Sequence, residues 1–570
     1  MPLKLVSIKP KYGSPLTLGQ FTVLVGPNNC GKSQTLRDIR SYVTSGTMTG
    51  SKLLADVQLT LPSESDAQKT VQFRPHSNPN HDRILGVSSD LQNRHEFTPP
   101  KGWLAQQYAN AKSGDRSQLL ANMGTYWIAH LDAESRFRLT ASTESYDTRN
   151  EAPQNALQAF FDGGQTAVAS LRSAFQKAFA VDIALDWAGM RRWYLKVGGD
   201  FGEIPDGLRD LDKLLRDAEE LGNQGDGFKS FAGVALALLT FPNRVLLLDE
   251  PEAFLHPAQA RELGRWVGTA VKGRPTQVVI ASHSADFLWG IISASSDATV
   301  VRLNRNENKT TFHAVPPETT TALVQSPLLS SQPVLDALFH RGVAVCEGDP
   351  DRAVYQTVAH TLLSTRGSEG VLFIHSNGKD AVKKPIELLR RAGVPVCAIV
   401  DFDVLNSEAL LSEIVASLSE TVLSARMIEL RNRLATRINE LTDEQLVAAL
   451  RAAVVSWQGA EQLDFRRARR SLKQIAGIGS KWDQVKNNGI EYFDGTPRTE
   501  VQELLTTLQL EGLFVVPGGQ LESWIKLGRP KGSIWNRAAL ETLHEGYCPI
   551  QLGQFVNSVV KYLIAGKGRA

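Results

Sequence analysis

Cysteine is scarce in this sequence. The four cysteines among 570 residues, Cys30, Cys346, Cys397 and Cys548, stand far apart and form no compact metal-ligand pattern. Free thiols in a cytoplasmic protein are the economical reading, and Cys346 and Cys397 lie in apolar runs where cysteine behaves as a small hydrophobe. Long hydrophobic runs are missing as well. No stretch of about eighteen apolar residues offers a membrane span, and the charged opening from Met1 to Lys11 lacks the apolar core of a secretory signal. Charge of one sign does not dominate either. The formal net charge is +2, so only local patches can speak for or against a polyanionic partner. What remains is a chain with 42% apolar residues, too long for one ordinary core, so about two to four domains are expected.

The first chemical signal follows a buried-strand pattern. Phe21-Thr22-Val23-Leu24-Val25 runs directly into Gly26-Pro27-Asn28-Asn29-Cys30-Gly31-Lys32-Ser33, the G-x-x-x-x-G-K-[ST] spacing of a phosphate loop. Gly26 and Gly31, with Asn28 and Asn29 between them, let backbone amides curl around phosphate oxygens at the start of the next helix. Lys32 has the charge to neutralise the β- and γ-phosphates and Ser33 the hydroxyl to hold magnesium, so ATP with Mg2+ is the expected ligand. Arg244 to Glu250, far downstream, reads R-V-L-L-L-D-E. This is a buried strand that delivers Asp249 and Glu250 at its carboxyl end, where ligands collect in parallel α/β sheets. Asp249 suits magnesium coordination, and Glu250 suits polarisation of an attacking water.

With Asp249-Glu250-Pro251-Glu252-Ala253-Phe254-Leu255-His256-Pro257 complete, this half resembles the ATPase heads of the ABC and SMC/RecF class. The resemblance implies that His283, in Ser282-His283-Ser284 after the strand pattern Gln277 to Ala281, senses the γ-phosphate or orders the water. It also puts a signature-like loop at Leu221 to Ser230, departing from the familiar Leu-Ser-Gly-Gly form. In the class such a loop touches ATP held by a second head, which implies a homodimer or larger homo-oligomer; a hinge capping a core helix is the plainer reading. Roughly 180 residues separate Ser33 from that loop, far beyond an ordinary connection. Strand patterns near Val57 to Leu61 and Val71 to Arg74, and helical ones over Ala152 to Phe179 and Leu208 to Leu221, predict a sheet extension plus a helical arm or dimerisation element over about 45–220. Trp127 to Arg136, with Asp132, Glu134 and Arg136, either borders the nucleotide or forms a solvated strand edge, the second being preferred.

After Asn306 a polar link passes through Glu318, Thr319 and Thr320, and a new α/β rhythm begins. Gly342 to Cys346 reads as a strand that ends in Glu347-Gly348-Asp349-Pro350-Asp351; Val371 to His375 is the next strand, Asp380 to Arg391 a helix, and Val394 to Val400 a strand ending in Asp401-Phe402-Asp403. Strand alternation sends positions 401 and 403 to one side, and Glu347 can join them at the same sheet edge. Converging carboxylates call for a hard divalent cation, Mg2+ or Mn2+. Glu-Gly after the first strand and Asp-x-Asp after the third resemble the TOPRIM domain of topoisomerases, primases and nucleases. An ABC-like ATPase followed by TOPRIM resembles the OLD (overcoming lysogenization defect) nuclease family, across nearly the whole chain. The resemblance implies Glu347, Asp351, Asp401 and Asp403 as metal ligands, with Asp349 as a nearby alternative. It implies Glu522 as a fifth ligand, in Pro517-Gly518-Gly519-Gln520-Leu521-Glu522 after a returning strand Gly512 to Val516. It implies too a phosphate-stabilising lysine, for which Lys531 is preferred over Lys526.

The expected fold is therefore α/β: an ABC-type P-loop ATPase domain over 1–325 with a large insertion, then a TOPRIM domain over 335–570 with a mainly helical insertion at about 407–510. Within that second insertion, Met427, Leu430, Leu434 and Leu441 form one apolar stripe and Leu446, Val447, Ala449 and Leu450 another, both read as packing surfaces. Arg466-Arg467-Ala468-Arg469-Arg470, with Lys473, Lys481 and Lys486, can grip phosphates without reading bases, the alternative being an ordinary charged surface. Packing is the default for Trp482 and Tyr492. The functional expectation is an ATP-regulated, two-metal DNA endonuclease, for which the resemblance implies bacterial antiphage defence and leaves room for an additional defence protein as partner. An ATP-regulated RNA nuclease and a non-cleaving DNA repair or sensing ATPase are the alternatives.

Overall fold

A computed structural model describes residues 2–295, 297–325, 334–362, 370–419, 422–458, 469, 472 and 481–565. Its contacts divide the chain into two compact units, Met1–Gln325 and Ser326–Ala570.

The first unit is built on a six-stranded sheet in the order Lys309–Val315, Thr299–Asn306, Phe21–Val25, Gln277–Ala281, Val245–Asp249, Ile128–Leu131. Every pairing is parallel except that between the first two. The three strands Phe21–Val25, Val245–Asp249 and Gln277–Ala281 are buried at all five positions, as continuous apolar runs must be when both faces of a parallel sheet are covered. Parallel pairing then carries Gly26, Glu250 and Ser282 to one edge. The ladder extends there, with Glu250 N–H donating to Ala281 C=O at 2.8 Å and Ser282 N–H to Leu24 C=O at 3.1 Å.

Residues 45–220 do not form a helical arm. Their longest helix among the described residues is Gly164–Phe179, of 16 residues, and their remaining mass is short helices and small antiparallel sheets. The Leu208 helix stops at Leu215, after which Glu219–Glu220 pairs with Lys196 and Val197 as a strand. The same region contributes Ile128–Leu131 to the main sheet, beside Val245–Asp249. Arg136 is therefore no part of a solvated edge: it is 0% exposed, in the helix Ala133–Leu139 that Asp132 caps. Nor is Glu318–Thr320 a link, because it lies in the helix Pro317–Gln325 with Thr319 and Thr320 buried.

In the second unit four strands, all parallel, run in the order Val371–His375, Gly342–Cys346, Val396–Val400, Leu513–Val515. The helices Asp349–Thr357, Ser533–His544 and Ile550–Ile564 bury Tyr355, Trp535, Val556 and Val560 in one core with Phe373 and Phe514 of the sheet. Between the third and fourth strands the chain makes Glu408–Ser419, the 34-residue helix Ala425–Gln458, Lys481–Asn488 and Gly495–Leu510. Met427, Leu430 and Leu434 are buried along the long helix, while the side chains of Leu441 and Leu446 lie outside those described. Val447 and Leu450 are exposed, so the second stripe is no packing surface among the described residues. Arg466, Arg467, Arg470 and Lys473 lie outside the described residues, as does the side chain of Lys481.

Two glycines set how closely the helices behind the first sheet edge approach each other. A methyl on Gly264 would fall 2.3 Å from Phe287 O, and one on Gly290 2.1 Å from Arg261 O, so the helices Pro257–Val271 and Ala285–Ala294 meet backbone to backbone. Gly290→Val is expected to lower stability by about 2–3 kcal/mol through overpacking, read as a shift in urea or thermal unfolding. An unshifted transition would show that the helices do not touch there.

Candidate nucleotide and metal sites

The phosphate loop obtains its shape from three left-handed residues, Gly26 (φ 142), Asn29 (φ 62) and Gly31 (φ 109). At Gly26 a side chain is excluded twice, since a Cβ would also lie 2.2 Å from Leu303 O. Lys32 is 3% exposed, and its ammonium donates to Gly26 O at 2.7 Å and Pro27 O at 3.1 Å, which holds the charge inside the loop. Ser33 Oγ donates to Asp249 Oδ1 at 2.7 Å, joining the two motifs that lie 216 residues apart. A cavity of about 910 Å³ opens over Lys32, Ser33, Glu250 and His283, with Arg37 and Arg305 also on its wall. Sequence reasoning did not single out those two arginines, because lone arginines on a helix and a sheet strand carry no spacing signal.

His283 Nε2 lies 3.0 Å from Glu250 Oε1. Burial, with Lys32 nearby, pushes the imidazole down to about 4, so near neutral pH the ring is uncharged and the contact is a hydrogen bond to the carboxylate. Glu250 itself has φ 49, an uncommon backbone state for a residue with a side chain. Arg136 holds it there: Nη2 donates to Glu250 O at 2.9 Å, Nη1 to Asp249 O at 2.6 Å and Nε to Ser230 Oγ at 3.1 Å. Glu252, also buried, accepts from Ser282 Oγ at 2.8 Å and from His283 N–H at 2.7 Å. Burial raises its carboxyl above the ordinary range.

Sequence reasoning gave Arg136 the wrong surroundings and Glu252 no role, since both act through residues distant in the chain. The signature-like loop is likewise divided. Gly225 and Asp226 are exposed, but Ser230 is fully buried against Arg136 and does not face outward.

In the second unit Glu347, Asp401 and Asp403 converge, each offering a carboxylate oxygen, all within 4.8 Å of one another. Glu347 leaves the strand Gly342–Cys346 and accepts from Asp401 N–H at 3.2 Å. Asp401 and Asp403 share a side for a reason other than strand alternation: the strand ends at Val400, and Phe402–Asn406 turns as a 3-10 helix.

Other expected residues lie around this group. Asp351 Oδ2 accepts from Gly348 N–H at 3.0 Å as part of the cap of Asp349–Thr357, and stands outside the mutual group of three. Asp349 pairs with Arg352 at 2.7 Å and lies 3.7 Å from His375. Glu522, in the 3-10 turn Leu521–Ser523, also lies outside the group. Lys531 reaches Gln520 Oε1 at 2.8 Å and Asn487 Oδ1 at 2.9 Å rather than a carboxylate; Lys526 is exposed.

The cations at the acids are different lysines. Lys379 lies 2.7 Å from Asp403 Oδ2, and Lys486 lies 3.0 Å from Asp401 Oδ2 and 3.3 Å from Asp403 Oδ2. Lys486 is thus turned into the acidic group and does not belong to an outward basic surface. Asp403 Oδ1 is buried and has no hydrogen-bond partner among the described residues. Three hard oxygen donors with one of their atoms unmatched fit a divalent cation.

Burial followed by the neighbouring carboxylates raises Asp351 to about 7 and Asp401 to about 6. Burial raises Glu347 as well. Each raised carboxyl favours its protonated form in the folded protein, and an incoming cation requires the charged form. Divalent-cation affinity is therefore expected to climb by more than about tenfold between pH 5.5 and 7.5, with protons released on binding. Calorimetric titrations of Mn2+ in buffers of different ionisation enthalpy read both quantities. A flat profile without proton release would contradict the raised carboxyls.

Comparison with known proteins gives two domain matches. Residues 21–288 match the family described as "AAA domain, putative AbiEii toxin, Type IV TA system". Residues 338–403 match the family described as "Overcoming lysogenization defect protein-like, TOPRIM domain". An uncharacterised protein of Methanocaldococcus jannaschii, MJECL11, is 34% identical over 72 residues, which are 13% of this chain and 63% of that relative's length. Among solved structures, an SmcHead bound to the C-winged helix domain of ScpA has a TM-score of 0.33 at 13% identity, over 56% of this chain and 98% of that one. The SMC head domain from Thermotoga maritima has a TM-score of 0.30 at 14% identity, over 55% of this chain and 100% of that one.

Proposed function

From a chain that joins an ATPase domain to an OLD-like TOPRIM domain, the architecture of the OLD family, we infer an ATP-regulated, divalent-metal-dependent DNA endonuclease serving bacterial antiphage defence. The observation that carries the nuclease reading is the meeting of Glu347, Asp401 and Asp403 at the carboxyl edge of a parallel sheet, with Asp403 Oδ1 unmatched. Glu347, Asp401 and Asp403 would hold magnesium or manganese, whose chemistry when bound would be to activate water and to offset charge on the leaving oxygen. The carboxylates themselves would position the cations, in competition with Lys379 and Lys486, which lie on them. Asp351 and Glu522 lie outside the group of three, and the resemblance to the OLD family is what assigns them to the cation site. Lys531, joined to Asn487 and Gln520, supports the phosphate from the rim.

At the nucleotide site Lys32 and the loop amides hold the phosphates, and Ser33 with Asp249 holds the Mg2+ that accompanies ATP. Glu250 is the base that aligns and polarises water. The uncharged His283 supports it as a hydrogen-bond donor, and Arg136 fixes its backbone. The exposed Gly225 and Asp226, together with Phe254 at 56% exposure, present a surface suited to a second copy of this unit, which supports a homodimer.

Lys32→Ala is expected to weaken ATP binding sharply, whereas Glu250→Gln keeps binding and slows single-turnover hydrolysis by about a hundredfold or more. Wild-type turnover by folded Glu250→Gln protein would remove that residue from its role. Asp401→Ala is expected to abolish Mg2+- or Mn2+-dependent cleavage of linear and supercoiled DNA while ATP binding persists. Full cleavage by this variant would overturn the active-site assignment, and cleavage of matched RNA in place of DNA would transfer the reading to an RNA nuclease. Equilibrium sedimentation with a non-hydrolysable ATP analogue tests the homodimer; a monomer at micromolar concentration with and without the analogue would rule out a self-assembled composite site.

A further inference from the structure

The helix Lys481–Asn488 belongs to the insertion between the third and fourth strands of the second unit, yet it forms a wall of the acidic site. Its position is set by backbone contacts. A Cβ on Gly519 (φ +103) would lie 2.1 Å from Lys486 O, and one on Gly489 (φ +57) 2.0 Å from Pro517 O, so the helix end and the turn Pro517–Gly519 touch with no side chain between them. Ile490 N–H donates to Pro517 O at 2.8 Å, and Phe402 N–H to Gly519 O at 2.8 Å, which ties the same turn to the segment carrying Asp401 and Asp403. Trp482 and Val485 bury the helix's apolar side. Next to Lys486, Asn487 Oδ1 accepts from Gln520 Nε2 and from Lys531 Nζ, each at 2.9 Å. The backbone of Lys486 is thus fixed by these contacts, and the long flexible lysine stem carries its ammonium to the acids.

The ammonium at the end of that stem bridges Asp401 Oδ2 and Asp403 Oδ2, two of the carboxylates a divalent cation would take. A single positive charge and a double one compete for the same oxygens, and the stronger charge displaces the weaker. Once displaced, the tethered ammonium stays beside the site, where the next anion to arrive is a phosphate of the nucleic-acid strand. We propose that Lys486 is an exchangeable cation of the nuclease site: it holds Asp401 and Asp403 together before the divalent cation binds and then contacts a non-bridging oxygen of the scissile phosphate. This rests on the nuclease reading above. It gives the inserted helix a direct part in catalysis.

The test compares Lys486→Met, similar in length but uncharged, with Lys486→Arg, which keeps the charge. In Mn2+ titrations of the full-length protein without nucleic acid, followed by calorimetry or electron paramagnetic resonance, Lys486→Met should bind Mn2+ several-fold more tightly than wild type. Lys486→Arg should stay close to wild type. At saturating Mn2+, single-turnover DNA cleavage by Lys486→Met should fall by about a hundredfold, the cost of losing one charge-stabilising donor. Weaker or unchanged Mn2+ binding by Lys486→Met would overturn the proposal, because a lysine that merely props the helix would loosen the site when removed. Tighter Mn2+ binding with undiminished cleavage would overturn it equally. Should wild-type protein cleave neither DNA nor RNA while Lys486→Met still binds Mn2+ more tightly, the nuclease reading fails, the proposed phosphate contact falls with it, and only the competition for the acids stands.

Discussion

A carboxylate withdrawn from water at the end of a buried strand must be answered by positive charge or by hydrogen-bond donors, and both units are arranged around that requirement. In the first, Asp249 and Glu252 are each 8% exposed; Ser33, Ser282 and the amide of His283 donate to the carboxylates, and the charge of Arg136 lies close by. In the second, Glu347, Asp401 and Asp403 are answered by the Asp401 amide, Lys379 and Lys486, with one oxygen of Asp403 left over. The two solutions differ in kind. Arg136 is buried and donates chiefly to backbone oxygens, so its role is permanent. Lys379 and Lys486 lie directly on the carboxylates, in the place a stronger cation would occupy.

That difference follows from geometry at the sheet edge. In the first unit the ladder continues past the strands, and Glu250 N–H pairs with Ala281 O while Ser282 N–H pairs with Leu24 O. The two loops after Asp249 and Ala281 are therefore locked into register. Glu250 can be held in a left-handed backbone state because Arg136 grips its carbonyl and Ala281 its amide. The side chain is left pointing into the cavity with His283. In the second unit the chain leaves the third strand through a 3-10 turn, and that turn folds Asp403 back beside Asp401 and Glu347.

Both inserted regions do more than decorate a core. The insertion in the first unit supplies the strand Ile128–Leu131 and, directly after it, Arg136. The insertion in the second supplies Lys486 and Asn487, which reach the acids and the Gln520–Lys531 side of the site. In each case glycine permits the approach: Gly233 lies against the Arg136 backbone, where a Cβ would be 2.5 Å from its carbonyl oxygen, and Gly519 lies against Lys486. A chain could not place a buried guanidinium or a clamped lysine there with bulkier neighbours.

The motifs that act through short spacing were legible in the sequence alone. Gly26 to Ser33 needs only a strand before it and a helix after it, and the runs ending in Asp249, Glu347 and Asp401 are continuous because parallel strands are buried on both faces. These local patterns determined the α/β class and the residues at each sheet edge. Tertiary structure alone decided which side chains answer those residues. Arg136 meets Asp249 across 113 positions, Ser282 meets Glu252 across 30, and Lys486 meets Asp401 across an entire helical insertion. None of these pairs has a periodicity, because contact between separate elements depends on how strands order and helices dock. For the same reason Lys486 looked from the sequence like one more member of a basic surface. It is the fold, through Gly489 and Gly519, that turns it inward onto the acids.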